Sequence, residues 1–408
     1  MYDFSVDVNS AACTALANLS ASRGGDIRKC IASQGGIPAL FSAMKSTSDN
    51  PNVQSEAFRA LHNLCESSSD GKHDIVADLE IIITAFFRHE GVKYIQQITC
   101  SILCRLSGDE KCRKSMIMLS GTFDALAKIM KSNPQKKLVQ KAACSTLRNL
   151  STEEAVIPIF LSKGFDSLVI DAMDTFGDSE ELQECACTFL MNMGSHSPEA
   201  SVEICSGEGI HCIVKSMQTI PTSASLQQAS CGALYAITKV DAHKNMAISA
   251  GAVDAVICLM LVHPTEIKVL ENAVNVLANL SSLKKCTETI AYAGGISTVM
   301  EIMRSNPSST GLILSGSRFI QNMALSSRAY ADEALGGITP ILGCMDEHPD
   351  CAKLVEESCK ALRCLVLKSE SCKDRVINAD GVAVIERTME ENSTSQRWQM
   401  LLLDELFQ

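Results

Sequence analysis

Apolar residues in this chain keep returning at helical spacing. Over residues 52–65, Ala57, Ala60, Leu61 and Leu64 stand at i, i+3, i+4 and i+7, one side of an α-helix. The string Ala60-Leu61-His62-Asn63-Leu64 repeats an earlier one, Ala15-Leu16-Ala17-Asn18-Leu19. Variants follow around Leu103, Leu147, Leu190, Leu234, Leu277, Ile320 and Leu362. Successive steps are 45, 42, 44, 43, 44, 43, 43 and 42 residues, a period too regular to arise from composition. A weaker tenth copy is expected near Leu403, where Leu403 and Leu406 keep the apolar spacing.

Two further markers share the period. Glycine opens an apolar segment at Gly36, Gly121, Gly164, Gly209, Gly251, Gly295, Gly337 and Gly381, with Glu80 taking its place in the second unit. Proline stands 13 residues before the key leucine at Pro134, Pro221, Pro264, Pro307 and Pro349, with Pro51 a near match. Each unit therefore reads as three helices. A short helix (26–33) ends at glycine, which tolerates the left-handed turn. A second helix (37–45) stops in a polar loop, and proline is expected in the first turn of a third helix (52–65) that carries the repeated string.

One such trio cannot enclose its apolar face, so the prediction is an all-α solenoid in which neighbouring trios stack. A leading helix over 5–20 is followed by nine trios starting near 21, 66, 108, 152, 195, 239, 282, 325 and 367. No linker interrupts them, so 1–408 reads as a single array. The second unit, 66–107, departs most, with an apolar run from Ile81 to Phe87. The chain begins inside a unit, leaving Ala11, Ala12 and Leu16 without a preceding layer, and finishes on Leu401–Phe407 without a polar cap. The expectation is a longer parent chain or end-to-end self-association.

Composition adds constraints. Aromatics are only 4%, so small aliphatic residues, Met and Cys must do the packing. A net charge of −11 disfavours nucleic acid and anionic membrane as partners. Nine of the 19 cysteines fall in two columns. Cys13, Cys100, Cys144, Cys187, Cys231 and Cys359 each precede a key leucine by three residues, while Cys112, Cys286 and Cys372 precede a repeat glycine by nine. Columns of this kind read as buried small hydrophobes, and so as a chain kept in a reducing compartment, cytosol or nucleus. Met1-Tyr2-Asp3-Phe4 has no basic region of a signal peptide, and no apolar run, Val256–Val262 included, reaches membrane-span length.

The period, three helices per unit, Gly-Gly-Ile opening the second helix and Ala-Leu-x-Asn-Leu on the third together resemble the armadillo repeat over essentially the whole chain. In that family the third helices line a concave groove and their Asn binds the backbone of an extended peptide. Carried onto this sequence, the resemblance implies Asn18, Asn63, Asn149, Asn192, Asn279 and Asn322 as groove residues. The alternative is that they brace neighbouring repeats. Arg105, Ala236 and Cys364 break the ladder. Nuclear-import adaptors of the family carry a Trp four residues before the Asn. Here those positions are Thr14, Arg59, Ser145, Thr188, Asn275 and Arg318, so import-type binding is not implied.

Arg59, Arg105, Arg148, Arg318, Lys360 and Arg363 fall on the same helix face, and a peptide bearing carboxylates or phosphates would suit them. Solvated or internally paired cations are the plainer alternative. No phosphate loop, dinucleotide fingerprint or His-Glu-x-x-His occurs, and the eight histidines show no metal spacing. The expectation is a non-enzymatic protein-binding scaffold without cofactor or metal, or else a regulatory armadillo segment of a larger protein or of a cytoskeletal or ciliary assembly.

Overall fold

The structure, a computed structural model, describes residues 6–22, 25–66, 69–391 and 396–408. The Met1–Phe4 segment and Ser5, the expected first residue of the leading helix, lie outside the described residues. Helices follow one another in trios, and no strand occurs among the described residues. The chain divides into two compact units, Met1–Glu203 and Ile204–Gln408.

In the first unit the leading helix Val6–Ser20 packs on the third helix Pro51–Leu64. The third helices Lys93–Ser107, Lys137–Leu150 and Glu180–His196 continue the row, each packed on the one before. In the second unit the row runs Ala224–Ile237, Ile267–Ser281, Thr310–Ser326, Ala352–Lys368 and Gln396–Phe407. First and second helices pack behind each third helix, as Gly36–Ser46 does on Pro51–Leu64. The cysteine columns are core: Cys100, Cys144, Cys187, Cys231 and Cys359 are fully buried, and Cys112, Cys286 and Cys372 nearly or wholly so. All 19 cysteines are thiols. In the first unit Phe160 sits edge-on to Phe123, Phe165 and Phe189 at centroid distances of 5.8, 5.5 and 5.3 Å.

Repeat glycines do the work of the turn between first and second helix where φ is positive, at Gly35, Gly164, Gly251 and Gly294. Glu208 and Asp380 hold the same conformation with side chains attached, at φ 63° and 55°.

The prolines sit elsewhere than expected. Only Pro51 occupies the first turn of a third helix, behind an Asn50 N-cap that accepts from the amides of Asn52 and Val53. Pro134, Pro264, Pro307 and Pro349 instead take the second position of a tight turn that precedes the helix. The amide of Lys136, for example, closes that turn on the Asn133 carbonyl at 3.1 Å. Proline's fixed φ suits that turn position, and the helix then starts after the turn, at Lys137.

A row of buried glutamines closes the same corner from inside. The side-chain amides of Gln54, Gln140, Gln183 and Gln227 donate to carbonyls at the end of the second helix, Gln54 to Met44 and Thr47 at 2.9 and 3.1 Å. Each lies seven residues before its key leucine. Gln399 holds that position in the last helix and is also fully buried. The tenth copy is therefore centred on buried Leu406, three residues beyond the expected Leu403, which is only half-buried.

Candidate functional site

Third-helix asparagines reach backwards along each row. Asn63 donates its side-chain amide to the Ala17 carbonyl and the Ser20 hydroxyl, both at 3.2 Å. Asn149 donates to Ser107 at 3.0 Å, and Asn192 to Ser151 at 2.9 Å. In the second unit Asn279 donates to the Tyr235 carbonyl at 3.1 Å, and Asn322 to Ala278 and Ser281 at 2.9 and 3.2 Å. Asn18 is exposed and without a partner among the described residues.

The serine is the other half of the device. Ser20, Ser107, Ser151 and Ser281 each donate to the carbonyl three residues earlier, so the hydroxyl ties off a helix end and still accepts from the next repeat. Its signal in the sequence is the recurring Asn-Leu-Ser of 18–20, 149–151 and 279–281. Asn63 and Asn322 use both N–H groups of the amide in these bonds, and Asn149, Asn192 and Asn279 use one of the two. The Oδ1 atoms of Asn192, Asn279 and Asn322 accept no bond from the described residues, so the face offers a ligand an acceptor at each of these positions.

Five of the six cations on this face meet carboxylates. Arg59 pairs with Glu56 one turn away, and Arg105 with Glu66 at 2.5 Å. Arg148 lies 3.6 Å from Glu184, Arg363 2.7 Å from Glu405, and Lys360 2.7 and 2.8 Å from Glu356 and Glu357. Lys360 also stands 5.2 Å from the ring centre of Trp398. Arg318 differs: its Nη2 donates to the neutral side-chain oxygen of Asn275 at 2.6 Å, which Ser315 also contacts at 2.9 Å. Its Nε is buried without a partner, and no carboxylate pairs with it among the described residues.

Around Arg105 the first unit holds a connected polar group. Arg105 Nε donates to Nε2 of His62 at 3.0 Å, and the Ser101 hydroxyl lies 2.8 Å from the same nitrogen. Burial, then the Arg105 charge, hold His62 below the ordinary imidazole value. Burial works against ionised Glu66, yet the Arg28 and Arg105 guanidiniums hold its carboxyl below the usual range.

Two histidines brace the corner turns. His89 Nε2 meets the Ser48 carbonyl and His263 Nε2 the Pro221 carbonyl, each at 2.7 Å, bracing one corner turn on the turn before. His89, His263 and His348 all precede their key leucine by 14 residues, a register that spacing alone could have revealed. Metal spacing was absent from the sequence, yet His73, Asp109 and Cys112 bring three potential ligand atoms within 4.8 Å of one another. They do so as a helix cap: Asp109 accepts from the Cys112 amide at 3.0 Å and lies 3.2 Å from His73 Nε2. Burial, then the Asp109 charge, push the Cys112 thiol up to about 12, and burial pushes Cys359 to the same value. Thiols so placed are poor nucleophiles.

Stacked three-helix repeats with a braced row of third helices define an α-solenoid. Residues 26–66 match the profile of the armadillo/beta-catenin-like repeat, and residues 80–254 that of the LRRK2 ARM repeat. The chain belongs to the armadillo-repeat family. A crystal structure of an engineered protein superposes with a TM-score of 0.82 at 20% identity, covering 100% of this chain and 97% of that one. A structure from work on a phosphorylation switch that controls the interaction between cadherin and beta-catenin superposes with a TM-score of 0.84 at 18% identity, covering 100% and 84%. At these identities the likeness is one of fold. No curated protein matches the sequence significantly. Among the described residues no single helix is long and apolar enough to cross a membrane.

Proposed function

We propose that this chain is a non-enzymatic protein-binding scaffold whose third-helix face holds an extended peptide, with Arg318 as the receptor for a carboxylate or phosphate of that peptide. The observation that carries the reading is the pairing of Arg318 with a neutral amide while the other five cations of the face are matched to carboxylates. A guanidinium fixed by Asn275 and lacking a counter-charge offers planar, charge-assisted donors at little ordering cost. Asn279 and Asn322, on the same row, supply acceptors for peptide N–H groups. The named control of a beta-catenin interaction by phosphorylation supports the phosphate alternative by analogy of fold. Nineteen cysteines kept as thiols suit a reducing compartment such as the cytosol.

The test is a pooled library of acidic 15-residue peptides, phosphorylated and not, panned against the wild type and Arg318→Glu. Enrichment of acidic or phosphorylated sequences that falls at least tenfold in the variant, with helical circular dichroism unchanged, is the expected result. Equal enrichment by both proteins would remove Arg318 from the reading, and no enrichment of acidic sequences would overturn it. A second reading, an armadillo segment of a larger protein, is favoured by the match of residues 80–254 to a repeat region named for LRRK2.

A further inference from the structure

In the first unit the surface opens between the third helices Lys93–Ser107 and Lys137–Leu150. The hollow measures about 530 Å³ and is lined by Tyr94, Ile98, Leu138, Val139 and Ala142, with Lys136 and Lys137 also on its wall. Tyr94 is 43% exposed and Leu138 77%. Both residues stand nine positions before a key leucine, so they are register equivalents on adjacent repeats. In the remaining repeats that position is held by Asp7, Asn52, Glu181, Ser225, Lys268, Gly311, Lys353 and Arg397. The position is exposed in all of these repeats but one, Gly311 being half-buried, and large apolar side chains occupy it only at the two repeats that border the hollow.

Burial in the fold does not explain a leucine left so open, and two such residues side by side mark a contact surface. The charged side chains on the wall of the hollow are both lysines, Lys136 and Lys137. Lys136 makes no ion pair among the described residues, and Lys137 reaches Asp178 at 3.2 Å only by way of a carboxylate that is itself 81% exposed. Beside Tyr94, Arg59 and its ion-pair partner Glu56 act with opposite signs and leave the lysines as the charge of the hollow.

We infer that this hollow is an anchor site for a partner segment that presents a large apolar side chain beside a carboxylate, the apolar group packing on Tyr94 and Leu138 and the carboxylate meeting Lys136. The volume suits one or two side chains and their backbone. The inference rests on the proposal that third helices bind extended peptides, and it adds a site and a sequence preference that Arg318 does not supply.

Three fluorescein-labelled dodecapeptides of Gly and Ser test it: one with a central Asp-Leu-Asp, one with Lys-Leu-Lys, one with Asp-Ser-Asp. By anisotropy the Asp-Leu-Asp peptide is expected to bind at least tenfold more tightly than either other. Leu138→Glu should abolish that preference, and Lys136→Glu should reverse the order of the Asp and Lys peptides. Both residues are exposed, so both variants should fold. Equal affinities for the three peptides, or full binding by Leu138→Glu, would overturn the inference. So would sedimentation showing a dimer that Leu138→Glu abolishes, because the occupant would then be a second copy of this chain. Arg318→Glu separates the two proposals: acidic-peptide binding lost there and kept in Leu138→Glu sinks this site alone, whereas no acidic-peptide binding by the wild type sinks both.

Discussion

Asn192 donates its side-chain amide to the Ser151 hydroxyl at 2.9 Å, a bond between residues one repeat apart. Both side chains belong to the repeated third-helix string, so the motif that marks each repeat is also the fastener between repeats. Removing either partner should cost about 1 kcal/mol, because a half-buried group loses its bond without leaving a charge behind. Asn192→Ala and Ser151→Ala should each show that loss in chemical unfolding, and the double variant should lose clearly less than the sum. Strict additivity would mean that the two do not act together.

Glu208 holds φ at 63°, where its register equivalents include Gly35, Gly164, Gly251 and Gly294. A side chain there crowds the backbone, and glycine does not. Glu208→Gly should therefore raise stability by about 1 kcal/mol, an outcome opposite to that of most glycine substitutions in helical proteins. Gly251→Ala is the mirror experiment. Its added methyl has open space around it, with nothing closer than 3.8 Å, so the expected loss of about 1 kcal/mol isolates the backbone conformation. Thermal unfolding of the two variants against the wild type reads both signs.

Periodicity makes the repeats legible in the sequence. The key leucines, glycines and cysteine columns are local signals, and burial at those positions is what a repeating helical face requires. The pairing of side chains was not legible, because a partner one repeat away is some 40 residues distant in sequence. Arg105 could be placed on the third-helix face, yet nothing local shows that Glu66 and His62 hold it. The prolines were misplaced for a related reason. A proline just ahead of a helix suits both its first turn and the corner before it, and only the Asn133–Lys136 closure and its counterparts decide between them. The tenth repeat slipped because Leu403 and Leu406 offer the same spacing, and the buried Gln399 settles which is in register.

Phe160 is fully buried and makes three edge-to-face contacts, so it joins two neighbouring trios of the first unit through one ring. Phe160→Ala leaves a cavity that backbone-fixed helices cannot close and should cost about 3–5 kcal/mol. Phe160→Leu keeps most of the volume and should cost less than half as much. Denaturant midpoints for the two variants test the ordering, and equal losses would mean that ring geometry, not volume, carries the stability.

The bond from Arg105 to His62 sets a direction for pH dependence. A guanidinium can only donate, so the Nε2 that it reaches at 3.0 Å carries no proton, and the folded state holds His62 neutral. Burial and the Arg105 charge both oppose protonation and put the folded value below the ordinary 6.5. Above about 6.5 the neutral ring is present in folded and unfolded chains alike, and its stabilising contribution is complete. As pH falls below that value the unfolded chain gains a proton that the folded chain resists, so stability declines until the folded value has also been passed. Unfolding free energy measured from pH 8 to pH 5 should therefore fall on the acid side. His62→Asn keeps a polar side chain at the position and cannot titrate, so its decline over the same range should be smaller. Identical slopes for the two proteins would assign the acid sensitivity to other groups and leave the Arg105–His62 bond without an energetic role in it.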